Sequence, residues 1–193
     1  MSAARHESTQ PARLPFPEIG ADAEPVAQRM AARRGGELSS LDKLLLHSPP
    51  VADGWNELLG ALRHKSSLAA DLRELAILRV AVLNNAAFEW VAHKEAARRA
   101  GVTDAQIDAL YDMDPVQHFD YRQNLVLELA DTSTFGVEIP DLLFQQVRAE
   151  FSEREIVELM VTIGGYAMVS RFLVALQVPP PEGEVASVDD AAG

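Results

Sequence analysis

The stretch NNAAFEWVAHKEAARRA, residues 84–100, sets a glutamate and a histidine four positions apart among small residues. At about 100° per residue, Ala86, Glu89, His93, Ala96, Ala97 and Ala100 fall in one sector of a helix, with Trp90 at its rim. Lys94, Glu95, Arg98 and Arg99 occupy the other side. That charged side must face water, so Glu89 and His93 are carried inward, one turn apart. Either group buried alone would be costly or would change its protonation state. As a pair they offset that cost, because a carboxylate stabilises the imidazolium and orients its ring. Alanines beside the pair leave space for a small substrate, and the chemistry such a pair performs is proton transfer. The same pattern also fits a structural buried pair or a subunit contact.

A third group stands in the preceding helix. In DLRELAILRVAVL nearly every position after Glu74 is apolar except Arg79, which implies burial on most sides. A tight turn at Asn84-Asn85 would lay the two helices side by side, with Glu74 and Glu89 each near a helix start. Glu74 then either supports His93 or serves as the third residue of a cap on Asp71. Arg79 and Arg171, each in an otherwise apolar helix, are candidates for a buried carboxylate partner or a substrate carboxylate. Trp90 is as much a packing residue as a ligand contact. His47 reads as a helix end, where imidazolium suits the dipole; His64 and His118 have no partners at metal spacing, and no HExxH motif exists, so neither metal nor cofactor is expected.

The elements that must hold these groups read as helices throughout. Ser39 with Asp42, Asp71 with Glu74, Thr103 with Gln106 and Ser152 with Glu155 mark helix starts. The spacing predicts helices near 40–47, 52–64, 71–83, 86–100, 104–112, 117–131, 140–150, 153–163 and 165–176, and no alternating strand. A short helix from Glu24 to Arg34 would end at Gly35-Gly36. Gly164-Gly165 is read as a break, which makes REIVELMVTIGGYAMVSRFL a distant echo of RELAILRVAVLNNAAFEWVA and a candidate duplicated hairpin. Residues 1–38 read as an extended arm, 39–178 as the folded helical domain and 179–193 as a disordered acidic tail.

Composition removes several function classes. The net charge is −12, which repels phosphate backbones, so nucleic acid is not expected as a partner. No apolar run approaches the ~20 residues of a membrane span, and the N-terminus lacks an apolar leader, so a cytoplasmic address without membrane contact is expected. The chain contains no cysteine, which excludes disulfides, thiolate nucleophiles and thiolate metal ligands.

RELAILRVAVLNNAAFEWVAH, together with ARLP, LLHSPP and the late GGYAMVSRFLVAL, resembles the carboxymuconolactone decarboxylase family, which includes the alkyl hydroperoxidase D group. The resemblance implies an all-α fold and a homo-oligomer, commonly a trimer or hexamer. In the peroxidase branch of that family a glutamate, a Cys-x-x-Cys pair and a later histidine form the site. The pattern places the glutamate at Glu74, the histidine at His93 and the cysteines at Ala86 and Glu89. Dithiol peroxide chemistry is therefore not expected. The decarboxylase branch needs no thiol, which implies a lyase or isomerase acting on a small oxygenated acid or lactone. In that reading His93 is the acid/base, Glu89 its partner and Glu74 a support, with Arg79, Trp90, Ala86 and Arg171 around the substrate. A non-catalytic ligand-binding oligomer is the competing class.

Overall fold

The computed structural model describes residues 12–112 and 116–181. Among them are nine α-helices and no strand: α1 (Glu24–Arg34), α2 (Ser40–Leu45), α3 (Pro49–His64), α4 (Ala70–Leu83), α5 (Ala87–Arg99), α6 (Asp104–Ala109), α7 (Tyr121–Phe135), α8 (Asp141–Glu150) and α9 (Glu153–Leu176). The all-α reading stands. Capping boxes open α2, α6 and α9 at Ser39, Thr103 and Ser152, as expected. A fourth, Asp120 with Gln123, starts α7 four residues later than the periodicity placed it.

The core is organised around α4. Nine of its fourteen residues are buried, so it presents apolar side chains in every direction and needs neighbours all round. On one side Ala76, Ile77 and Val80 pack with Val126 and Leu129 of α7, Val147 of α8 and Leu159 and Ile163 of α9. On the other, Leu75 and Leu78 meet Ala97 of α5, Ile107 of α6 and Leu127 of α7. A third cluster joins α1, α2 and α3 to the end of α9 through Met30, Leu41, Leu59 and Val169.

Two expectations are corrected here. The short helix expected at Glu24–Arg34 is present as α1, but it is not part of an extended arm over 1–38, because it is buried against α3 through Val26, Ala27 and Met30. Upstream, the extended part lies on its own chain: Arg13 donates from its backbone to Leu176 O at 2.9 Å and from its side chain to Ala175 O at 3.0 Å. These bonds satisfy carbonyls left open at the end of α9. Second, Gly164-Gly165 breaks nothing. Helix α9 runs unbroken over 24 residues, so the late segment is not a second hairpin. Two glycines cost a helix about 2 kcal/mol relative to alanine, and the burial of Leu159, Ile163, Tyr166, Val169 and Leu173 on one face outweighs that. Unbroken, α9 is long and apolar enough by composition to cross a membrane, with mean hydropathy 1.7, yet one face packs into the core. Most of the acidic tail, from 182, lies outside the described residues.

Candidate active site

The α4–α5 hairpin makes the site. Its turn is tight because Asn85 adopts φ 53°, a left-handed conformation that asparagine tolerates better than most residues. The fold back brings Glu74, near the start of α4, against His93 in the middle of α5. His93 Nδ1 lies 2.7 Å from Glu74 Oε2. On the other edge of the ring, Nε2 lies 3.3 Å from Glu89 Oε2 and 3.2 Å from Nη2 of Arg63 on α3. Glu74, Glu89 and His93 are 4%, 2% and 5% exposed, so all three are shielded from bulk water. The cap expected on Asp71 does not form. The residue before α4 is Ala69 with no side-chain cap, and the Glu74 carboxylate is spent on His93.

Arg63 is itself held. Its Nε donates to the Tyr166 hydroxyl at 2.8 Å, and the Tyr166 ring stands edge-on to His93 with centroids 5.1 Å apart. Arg73 lies 3.4 Å from Glu74 Oε1, a looser contact. A cavity of about 260 Å³ opens beside these groups, lined by Arg34, Arg63, His64, Arg73, Glu74, Phe88, Glu89, Ala92, His93 and Ala96. Its wall carries three guanidinium groups beside the Glu74 and Glu89 carboxylates, and Arg34 is also ion-paired with buried Asp42, so the hollow is charged and polar rather than lined only by methyl groups.

The electrostatics follow from this packing. Burial alone would lower the His93 pKa. The hydrogen bond with Glu74 and the adjacent Glu89 carboxylate outweigh burial and the opposing Arg63 charge, and hold it above the usual value. Burial pushes Glu74 up, but His93, Arg73 and Arg63 pull it below the usual carboxylate range. Burial lifts the Tyr166 hydroxyl well above its ordinary value, so it stays neutral. Since Nδ1 faces Glu74, it keeps its proton in both states of the ring, and Nε2 is the atom that titrates. Neutral Nε2 can accept from Arg63. A protonated Nε2 is repelled by that cation and can donate only toward Glu89 Oε2, 3.3 Å away, which is buried with no other hydrogen-bond partner among the described residues. The ring therefore has one partner for each protonation state of Nε2.

The remaining expected site residues lie elsewhere. Arg79 forms a two-pronged bond with Asp131, Nε to Oδ1 at 2.6 Å and Nη2 to Oδ2 at 2.7 Å, and donates to Leu110 O and Asp112 O. It ties α4 to α7 and does not line the cavity. Arg171 is exposed on α9, beside Asn84 and Ser170. Trp90 stacks edge-on against Tyr111, centroids 4.7 Å apart, in the cluster with α6. Ala86 is buried as the residue preceding α5 and does not line the cavity. The pattern reading passed over Arg63, Arg73, Arg34 and Tyr166. Arg63 had a signal: Ala52, Trp55, Asn56, Leu59 and Leu62 form the buried face of α3, and Arg63 continues it.

One further contact stabilises the site from outside. Glu158 of α9 accepts from Ser66 Oγ, Ser67 Oγ, Ser67 N and Leu68 N, all within 3.0 Å, and so fastens the loop between α3 and α4. That loop separates Arg63 and His64 from Arg73 and Glu74. Its donors outweigh burial and hold the Glu158 carboxyl down to about 2.

Solved structures place the fold. The chain is similar to an uncharacterized peroxidase-related protein from Silicibacter sp. TM1040, with TM-score 0.78 and 20% identity over 93% of this chain and 96% of that one. It is similar to a peroxidase-related protein from Ralstonia eutropha JMP134 described as an alkylhydroperoxidase AhpD core, with TM-score 0.76 and 19% identity over 90% and 95%. It is also similar to the debrominase Bmp8 in complex with 2,3,4-tribromopyrrole, with TM-score 0.70 and 16% identity over 89% and 91%. The helical hairpin and these likenesses define an AhpD-like helical fold. Residues 49–131, which supply Arg63, Glu74, Glu89 and His93, match the profile of the carboxymuconolactone decarboxylase family. YdfG of Bacillus subtilis (strain 168), an uncharacterized protein, is 28% identical over 114 residues, 58% of this chain and 78% of that one.

Proposed function

We propose that the cavity beside His93 is the active site of a thiol-independent lyase or isomerase acting on a small oxygenated carboxylic acid or lactone. The observation that carries this reading is the titrating atom His93 Nε2, held between an acceptor and a donor beside a cavity walled by guanidinium groups. Arg73, whose contact with Glu74 is loose at 3.4 Å, supplies the charge that a substrate carboxylate requires, the role expected of Arg79 and Arg171, while Arg34 is engaged by Asp42. In a decarboxylation, the carbon–carbon bond to the carboxylate breaks, its electrons pass into an enolate and CO₂ departs. The Nε2 proton of His93 is then delivered to carbon, and Arg63 donates to the neutral nitrogen left behind. Solvent restores the proton. In an isomerisation, Nε2 would instead take a proton from one carbon and return it to another. The raised His93 pKa suits the donor role at neutral pH. The positions that match the cysteines of the peroxidase branch are Ala86 and Glu89, so this chain has no dithiol of its own to reduce peroxide.

The test is turnover of lactone carboxylic acids in D₂O, following CO₂ release and deuterium entry at carbon. The wild type should release CO₂ or exchange, and His93→Gln should lose about 10²–10⁴-fold in rate while keeping its helical spectrum. Undiminished turnover in a folded His93→Gln protein would end the mechanism.

A further inference from the structure

A second hollow lies away from His93, where the end of α4 meets the last turns of α9. It measures about 290 Å³ and is lined by Asn84, Ser170, Arg171, Val174 and Ala175, none of which lines the cavity beside His93. Ser170 is 1% exposed, and its Oγ has no hydrogen-bond partner among the described residues. A hydroxyl inside a helix commonly bonds the carbonyl one turn back. Thr162 of the same helix does so, donating to Glu158 O at 2.7 Å. Ser170 does not, and a buried polar group left unpaired is costly, so a partner from outside the chain would relieve that cost. Arg171, next to it, is exposed and has no ion pair or hydrogen bond with any described residue.

The backbone fixes the sign of the missing partner. Two helix ends close together ordinarily present open carbonyls, which attract cations. Here nearly all are taken. Val80 O accepts from Asn84 N at 3.0 Å and from Asn84 Nδ2 at 2.9 Å, Ala81 O from Ala86 N at 2.8 Å and Val82 O from Asn85 N at 3.0 Å. At the end of α9, Leu173 O accepts from Val178 N, Val174 O from Gln177 N, Leu176 O from Arg13 N and Ala175 O from the Arg13 side chain. What remains is a guanidinium and a hydroxyl free to donate, beside the apolar Val174 and Ala175.

We infer that this hollow binds a small organic acid, with its carboxylate on the Arg171 guanidinium and the Ser170 hydroxyl and its apolar body against Val174 and Ala175. A carboxylate matches one guanidinium with one further donor, whereas a phosphate carries more acceptor oxygens than these two groups satisfy. The volume is near the small end of ligand sites, which sets the size at a single ring or a short branched chain. The inference does not depend on the reading of the cavity beside His93.

The test is a two-dimensional amide NMR titration of the full-length chain with phenylacetate, compared with 2-phenylethylamine, which has a similar body and the opposite charge. Phenylacetate should shift the backbone amides of Asn84, Arg171 and Ala175 saturably, and neither the amine nor inorganic phosphate should do so. Arg171→Gln should weaken binding about tenfold or more, and Ser170→Ala about threefold. Val174→Trp, which fills the hollow from an exposed position, should abolish binding with an unchanged circular dichroism spectrum. Without ligand, Ser170→Ala should hold or raise Tm, because it removes an unpaired hydroxyl. His93→Gln should leave the shifts at Arg171 in place. No saturable shift at these amides, an equal response to the amine or to phosphate, binding indifferent to Arg171→Gln, or a lowered Tm in Ser170→Ala would each overturn the inference.

Discussion

His93 has two carboxylate neighbours and one guanidinium, and each makes a distinct prediction. Removing the ring leaves Glu74 without its hydrogen-bond partner and opens a gap between the two buried carboxylates, so His93→Ala should lower Tm as well as abolish turnover. Gln is the better probe of chemistry because it fills the space and can bond Glu74. Arg63 opposes the imidazolium, so Arg63→Gln should move the alkaline limb of the pH–rate profile upward, since the cation that lowers the His93 pKa is gone. A purely structural Arg63 would change Tm and leave that limb in place. Glu89 and His93 were legible in the sequence because inward and outward sides of α5 separate cleanly in charge. The partner on Nδ1 was ambiguous, since Glu74 stands three residues after Asp71 as in a cap. Only the turn at Asn84-Asn85, which folds α4 against α5, gives its carboxylate to the ring.

The helices differ in how their polar contacts are secured. Arg79 is 3% exposed and Asp131 30%, so the two halves of that pair are not equivalent. Asp131→Ala leaves a buried guanidinium relying on two carbonyls and should cost about 3 kcal/mol, measured by urea unfolding. Arg79→Met leaves a carboxylate that water can reach and should cost less. Glu158→Gln should lower stability by about 1–2 kcal/mol, since four donors of the α3–α4 loop lose their charged acceptor. Gly165→Ala should be neutral or stabilising, because its Cβ meets Leu59 and Leu62 at an ordinary 3.8 Å. Helix existence was readable from period and caps. The continuity of α9 was not, because glycine propensity is local and the burial that overrides it comes from α3, α4 and α7. Arg79 could not be assigned for the same reason: its partner lies 52 positions away.

For the molecule entire, the linked protons set a stability window. Glu74 and Glu158 have lowered pKa values, so their contributions are present above the ordinary carboxylate value of 4.5 and fade as pH falls through their folded values, about 2 for Glu158. His93 has a raised pKa, so its contribution is complete below 6.5 and is lost as pH rises through the folded value. Tm should therefore be highest between about 4.5 and 6.5, and its alkaline decline should flatten in His93→Gln. The negative charge, the absence of cysteine and the all-α character were plain in the composition. The guanidinium wall was not, because Arg34, Arg63 and Arg73 come from three helices and meet only when α1 and α3 close over the hairpin. The most direct test of the account is a nitrogen-15 NMR titration of the His93 ring, assigned by its loss in His93→Gln. Nδ1 should stay protonated while Nε2 titrates above 6.5, with a lower midpoint in Glu89→Gln; a ring that titrates at or below the ordinary value, or one indifferent to Glu89, would contradict it.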